Sequence, residues 1–243
     1  MDHLLIGSTL AALATGVGAL PILFFKQFSH KWRDVLLAFT AGVMVSASML
    51  ELLPESLALS NIYVTAIGLI LGTFVLTLLE RKVPHIHIEH KTRTIVVDRK
   101  AALIVAAITL HNLPEGLAVG VSFASEQESM GPLIALAMGI QNMPEGLLVA
   151  LYLVQSNIGK RKAFLVATAT GAVEIVTALL GFWLASYISF ILPLGLAFAA
   201  GAMLFIVYKE LIPESHGDGN ERSSTFSFIG GLLVMLLLID LFS

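Results

Sequence analysis

The chain has 243 residues, of which 57% are hydrophobic and only 13% charged. An average soluble protein carries roughly twice that share of charge, so a soluble globular enzyme is excluded in favour of a polytopic membrane protein. A net charge of −3 gives no sign of a nucleic-acid partner, and the absence of cysteine excludes disulfides and thiolate metal sites.

Eight apolar segments follow one another at about 4–25, 35–53, 62–79, 101–124, 132–154, 163–186, 188–208 and 226–242. Each is near the 20 residues that cross a hydrocarbon core of about 30 Å, and backbone groups in lipid are satisfied within helices. The fold class is therefore all-α, a single transmembrane domain over 1–243 with eight helices. The basic residues fix its sidedness. Lys26, Lys31 and Arg33 follow the first helix, and Arg81, Lys82, Lys91, Arg93, Arg99 and Lys100 follow the third. Lys160, Arg161 and Lys162 follow the fifth, and Lys209 and Arg222 flank the connection between the last two. All 14 lie on one side. The positive-inside tendency makes that side cytoplasmic and places both termini outside, in a multi-pass cell membrane protein. Glu55, Glu126 and Glu128 make the opposite face mildly acidic, which favours cations.

The second helix, AFTAGVMVSASMLELLPES (38–56), aligns without gaps to AFAAGAMLFIVYKELIPES (197–215) in the seventh, with 10 of 19 positions identical. By the topology above the two cross in opposite senses, as expected of an inverted repeat. Met44 is central in the second helix and Met203 is its counterpart. A thioether there serves either as a soft ligand or as packing. Glu51, Glu55, Glu210 and Glu214 stand where a route in or out would pass, or at helix contacts. Gly68 and Gly72 in the third helix suit close helix packing.

The loop 81–100 contains HIHIEH, with His85, His87 and His90. That spacing suits loose capture of a metal on the cytoplasmic side, although a solvated linker reads from the same residues. The HGDGNE stretch (216–221) is a weaker case.

The fourth and fifth helices carry HNLPEG (111–116) and QNMPEG (141–146). His111, Asn112 and Glu115 share a helical face, as do Gln141, Asn142 and Glu145. Glu174 is central in the sixth helix, so all seven lie at one depth. Each proline removes a donor and disturbs the carbonyl four residues back, which is expected to open the helix beside the polar groups. An ionised side chain at mid-bilayer costs about 2.5–3.5 kcal/mol on insertion scales, and no lysine or arginine lies at that depth. Protonation or a bound cation must compensate. One imidazole, three carboxylates and amide oxygens suit Zn²⁺, or Fe²⁺, Mn²⁺ or Cd²⁺, better than Mg²⁺.

These residues resemble the Zrt/Irt-like (ZIP) family of divalent metal transporters, and among them prokaryotic members of the GufA-like branch. The resemblance spans the chain: eight helices, a His-containing loop between the third and fourth, and HNxPEG followed by QNxPEG. It implies a metal site on helices four and five, binuclear in some members. His111, Glu115, Gln141 and Glu145 would make one position, joined by Met44. Asn112, Glu115, Asn142, Glu145 and Glu174 would make the other. Asn142 stands where some relatives have aspartate, so the second position carries less charge here, and Lys209 precedes Glu210 where some have histidine. The resemblance also implies that a four-helix unit containing helices four and five slides against the rest, which forms any homodimer contact.

The function expected is transport of Zn²⁺, or a similar divalent ion, towards the cytoplasm, with metal ions and the lipid bilayer as partners and no catalytic cofactor. No P-loop is present, so an ion gradient or coupled ion drives movement. Two rival readings use the same residues: an intramembrane metal hydrolase, disfavoured because no HExxH appears, and a metal sensor without flux.

Overall fold

A computed structural model describes residues 1–24, 29–82, 97–188, 190–216 and 219–242, without the side chains of 82, 97–104, 107 and 108. The loop histidines His85, His87 and His90 lie outside the described residues. The apolar segments are helices: α1 (Asp2–Phe24), α2 (His30–Leu59), α3 (Ile62–Lys82), α4 (Val97–Ser122), α5 (Met130–Gln155), α6 (Lys160–Tyr187), α7 (Ile191–Ser215) and α8 (Glu221–Phe242). Among the described residues, α1, α2, α3, α5, α6, α7 and α8 are long and apolar enough by composition to cross a membrane. The helix α4 carries the His111 motif.

Local chemistry sets the helix ends. Asn61 caps α3, its Oδ1 accepting from the amides of Tyr63 (2.9 Å) and Val64 (3.2 Å), which satisfies donors that a helix start leaves open. Asn157 takes a positive φ of 60° in the turn between α5 and α6, a conformation asparagine tolerates better than most residues.

Both α4 and α5 run as continuous helix through Pro114 and Pro144. The irregular turns lie elsewhere, as π-helical stretches at Ala47–Leu52 in α2 and Val207–Leu211 in α7. Each ends just ahead of a proline, Pro54 or Pro213. There the amide of Leu53 reaches back to the carbonyl of Ser48, and that of Ile212 to Val207. Proline removes the N–H required by the carbonyl four residues earlier, and the wider turn shifts the hydrogen-bond ladder by one residue.

The helices associate in two groups of four. The first comprises α1, α4, α5 and α6, and the second α2, α3, α7 and α8; α4 meets α7, and α5 meets α2, along the seam. Glycines let backbones touch inside each group. A Cβ on Gly18 would strike the Met143 carbonyl, one on Gly146 that of Thr15, and one on Gly120 that of Ala178, all within the first group. In the second, Gly42 abuts the Phe228 carbonyl and Gly231 that of Phe39, while Gly201 abuts Leu69 and Gly72 abuts Phe198. These last two pairs of contacts keep one register, since the alignment of α2 with α7 extends to place Gly42 on Gly201, Phe39 on Phe198 and Gly72 on Gly231. Across the seam Gly195 meets only side-chain atoms of Val121, at 3.2 Å and beyond.

Large apolar side chains on α1 (Ile6, Leu10), α3 (Ile70, Phe74) and α8 (Phe226, Leu237) point outward and are more than half exposed. An apolar exterior around a buried polar centre inverts the soluble pattern and suits lipid.

Candidate metal site

The residues singled out in α4, α5 and α6 converge. Glu115, Gln141, Asn142 and Glu174 are at most 1% exposed and Asn112 is 2% exposed. Gln141 Nε2 donates to Glu115 Oε1 at 2.8 Å, tying α5 to α4. Asn142 Nδ2 donates to Glu174 Oε2 at 2.8 Å and to the Ala11 carbonyl at 3.0 Å, tying α5 to both α6 and α1. Asn112 Nδ2 donates to the Thr170 carbonyl at 2.9 Å, tying α4 to α6. Gly116 makes this closeness possible, because a Cβ there would lie 2.5 Å from the Glu174 carbonyl. Glu115 lies within electrostatic reach of Glu145 and Glu174, and Glu145 within reach of His111.

What the amides leave over decides the chemistry. Glu115 Oε2, Gln141 Oε1, Asn142 Oδ1, Glu145 Oε1 and Glu174 Oε1 are buried and receive no hydrogen bond among the described residues. All five are oxygens that accept, and the three carboxylates among their owners repel one another. Five buried acceptors without donors in a charge-excluding interior call for a cation or for protons.

His111, within electrostatic reach of Glu145, also reaches beyond the expected grouping. Its Nε2 meets Glu210 Oε2 on α7 at 2.9 Å, across the seam, with the two side chains 15% and 22% exposed. Among the described residues no three His, Asp or Glu side chains form a ready-made metal cage. The donor set is thus divided between Glu115–Gln141, Asn142–Glu174 and His111–Glu210, and a metal taking His111 must compete with Glu210.

The other residues named from sequence are placed as follows. Met44 is fully buried in the main core, as is Met203. Since α8 packs on the Gly42 and Phe39 side of α2, Met44 faces away from α8. Ser125 Oγ, in the α4–α5 connection, donates to Glu55 Oε1 at 2.6 Å, a second polar link across the seam. Glu51 is half-buried and Glu214 exposed. Lys209 turns from Glu210 to pair with Glu80 on α3 and lies 5.4 Å from the centre of the Phe205 ring. The part played by α1, through the Ala11 carbonyl, is invisible in the sequence, because a carbonyl leaves no trace there.

Asn142 makes two of these ties and Asn112 one. We expect Asn142→Ala to lower stability in detergent by about 1–3 kcal/mol, the range for orphaning buried partners, and by more than Asn112→Ala. Thermal unfolding of the two variants beside the parent checks the order.

Comparison with known proteins adds a lineage to this geometry. A family profile described as "ZIP Zinc transporter" matches residues 85–239. The zinc transporter GufA of Myxococcus xanthus is 40% identical over 245 residues, covering 96% of each chain. The zinc transporter ZIPB of Bordetella bronchiseptica is 35% identical over 98% of this chain and 81% of its own. The zinc transporter ZupT of Streptococcus mutans is 32% identical over 97% and 96%.

Proposed function

Because the chain belongs to the ZIP zinc transporter family, we propose that it carries Zn²⁺, or a similar divalent transition metal, across the membrane towards the cytoplasm through the cluster on α4, α5 and α6. It is a transporter rather than an enzyme, and a multi-pass membrane protein. The observation that carries the site assignment is the set of five buried, donor-less oxygens on Glu115, Gln141, Asn142, Glu145 and Glu174. With His111 they offer the mixed nitrogen and oxygen ligands that zinc accepts, and Met44 lends a thioether from α2. Here the metal is the cargo.

The helix grouping supports a mechanism. Backbone contacts weld each four-helix group internally, whereas side chains mediate the seam. We read α1, α4, α5 and α6 as a unit that moves past α2, α3, α7 and α8, as alternating access requires. The Glu55–Ser125 and His111–Glu210 links must break and re-form as it moves. The matching contacts of α2 with α8 and α7 with α3 support the inverted repeat, and the charge distribution supports termini outside. Glu51, Glu55, Glu210 and Glu214 then flank the routes in and out, and His85, His87 and His90 form a capture loop at the cytoplasmic side. Lipid, and in a homodimer a second copy, covers the apolar faces of α3 and α8.

Zinc uptake into proteoliposomes holding a trapped indicator tests the reading. The parent should show saturable uptake, and His111→Ala and Glu145→Ala should each lose it. Zinc binding by the parent with no uptake, under either direction of pH gradient, would replace the transporter reading with that of a sensor.

A further inference from the structure

The two asparagines of the paired motifs do the same thing on different helices. Asn112 donates to the Thr170 carbonyl on α6, and Asn142 to the Ala11 carbonyl on α1. The following glycines repeat the match. Gly116 abuts the backbone of Glu174, one turn after Thr170, and Gly146 abuts the backbone of Thr15, one turn after Ala11. The same alignment that sets α2 on α7 and α3 on α8 sets α1 on α6, pairing Ala11 with Thr170 and Thr15 with Glu174. Thr15 therefore occupies, on the α1 side, the position that Glu174 occupies on the α6 side.

Its hydroxyl, like those of Thr40, Ser46 and Ser48, is buried without a partner among the described residues. Thr73, Thr77, Thr109, Thr168, Thr177 and Thr225 each donate to the carbonyl four residues back, the usual resting place of a helical threonine. For Thr15 that carbonyl is Ala11, which Asn142 engages. Thr15 is 2% exposed, and its Oγ1 has no hydrogen-bond partner among the described residues. The hydroxyl lies at the α1–α6 junction, where a Cβ on Gly171 would stand 2.9 Å from it, one turn before Glu174.

We infer that the Thr15 hydroxyl is a further metal-binding group of the central site, a neutral oxygen facing the cation opposite the Glu174 carboxylate. The inference rests on the transport reading above. A neutral arm on one side and a charged arm on the other let the cluster surround a divalent ion without adding a fourth carboxylate.

Competition against a zinc indicator, using the detergent-solubilised full chain, gives the first test. Thr15→Val should weaken zinc binding about tenfold, at the low end of what supporting groups contribute to metal sites, while Thr15→Ser stays near the parent. Because Oγ1 donates to nothing, Thr15→Val should unfold at the parent's temperature or above it when metal is absent. Equal zinc affinity in the parent and Thr15→Val would overturn the inference and leave the transport reading intact. A parent that neither binds nor moves zinc would instead remove the reading itself. A second test needs no intact affinity. The chain has no cysteine, so Thr15→Cys adds a lone thiol, and Cd²⁺ should produce a thiolate-to-metal charge-transfer band in the ultraviolet. Its absence under saturating Cd²⁺ would place residue 15 outside the coordination shell and overturn the inference.

Discussion

Glu115→Gln abolishes zinc uptake while leaving the folded protein at least as stable as the parent. The two effects share one cause. Glu115 is wholly buried, its Oε1 held by Gln141 and its Oε2 without a donor, and carboxylates of Glu145 and Glu174 act on it. The cluster holds three acidic groups with no lysine or arginine among its residues. Glutamine keeps an oxygen to accept from Gln141 and removes a buried carboxylate that must otherwise be protonated or paired with a cation. It also removes one of the two carboxylates that the family resemblance assigns to both metal positions. Uptake should fall at least about a hundredfold, the upper range for damage to a metal site's supporting groups, while the detergent unfolding temperature holds or rises. Uptake within twofold of the parent would exclude Glu115 as a ligand. A fall in stability would mean that the carboxylate is a structural fixture.

The second large effect is expected at two neighbouring glycines of α8. A Cβ on Gly231 would collide with the Phe39 carbonyl and stand 3.0 Å from the Val43 amide nitrogen, so α8 would have to withdraw from α2. Around Gly230 there is nothing within 4 Å. Gly231→Ala should cost about 3 kcal/mol, the upper end for overpacking. Gly230→Ala should be neutral or gain up to about 1 kcal/mol from helix propensity. Because the residues are adjacent and each change adds one methyl, membrane insertion and expression are matched. Urea or thermal unfolding in detergent of the two single variants decides it, and similar stabilities would contradict the close packing of α2 on α8.

Much of this architecture was legible in the residues. Eight apolar runs spaced by polar connections dictate a helical bundle, since lipid leaves the backbone no other partner. His111, Asn112, Glu115, Gln141, Asn142, Glu145 and Glu174 stood out because polar groups at that depth are expensive, and the structure gathers the α4–α6 set. Gly68 and Gly72 read as close-packing residues and do press on α7. Other features were illegible for definite reasons. Pro114 and Pro144 sit within continuous helix, while the hydrogen-bond ladder shifts before Pro54 and Pro213, a difference that a proline in a sequence does not by itself reveal. His111 pairs with Glu210, a residue of another group far along the chain, and no local pattern encodes that meeting. Thr15 sits in a run of small residues where a threonine reads as filler. Only the backbone of Gly146 and the amide of Asn142 reveal where it stands.

The matched glycine contacts have a consequence for energetics between states. A scaffold whose halves pack in one register has, on the alternating-access reading, two resting arrangements related by a two-fold axis. Were the side chains equally matched, the two would be degenerate and the empty protein would divide its time evenly. The mismatches lift that degeneracy: His111 opposite Gln141, Glu174 opposite Thr15, Lys209 opposite Leu50. In the arrangement seen here His111 is engaged by Glu210 and Lys209 by Glu80, bonds that Gln141 and Leu50 do not reproduce in kind. On that reading the backbone would supply two wells of similar depth, and a few side chains would set the tilt between them. Substitutions at those few positions should change how long the protein dwells on each side of the membrane without changing its fold.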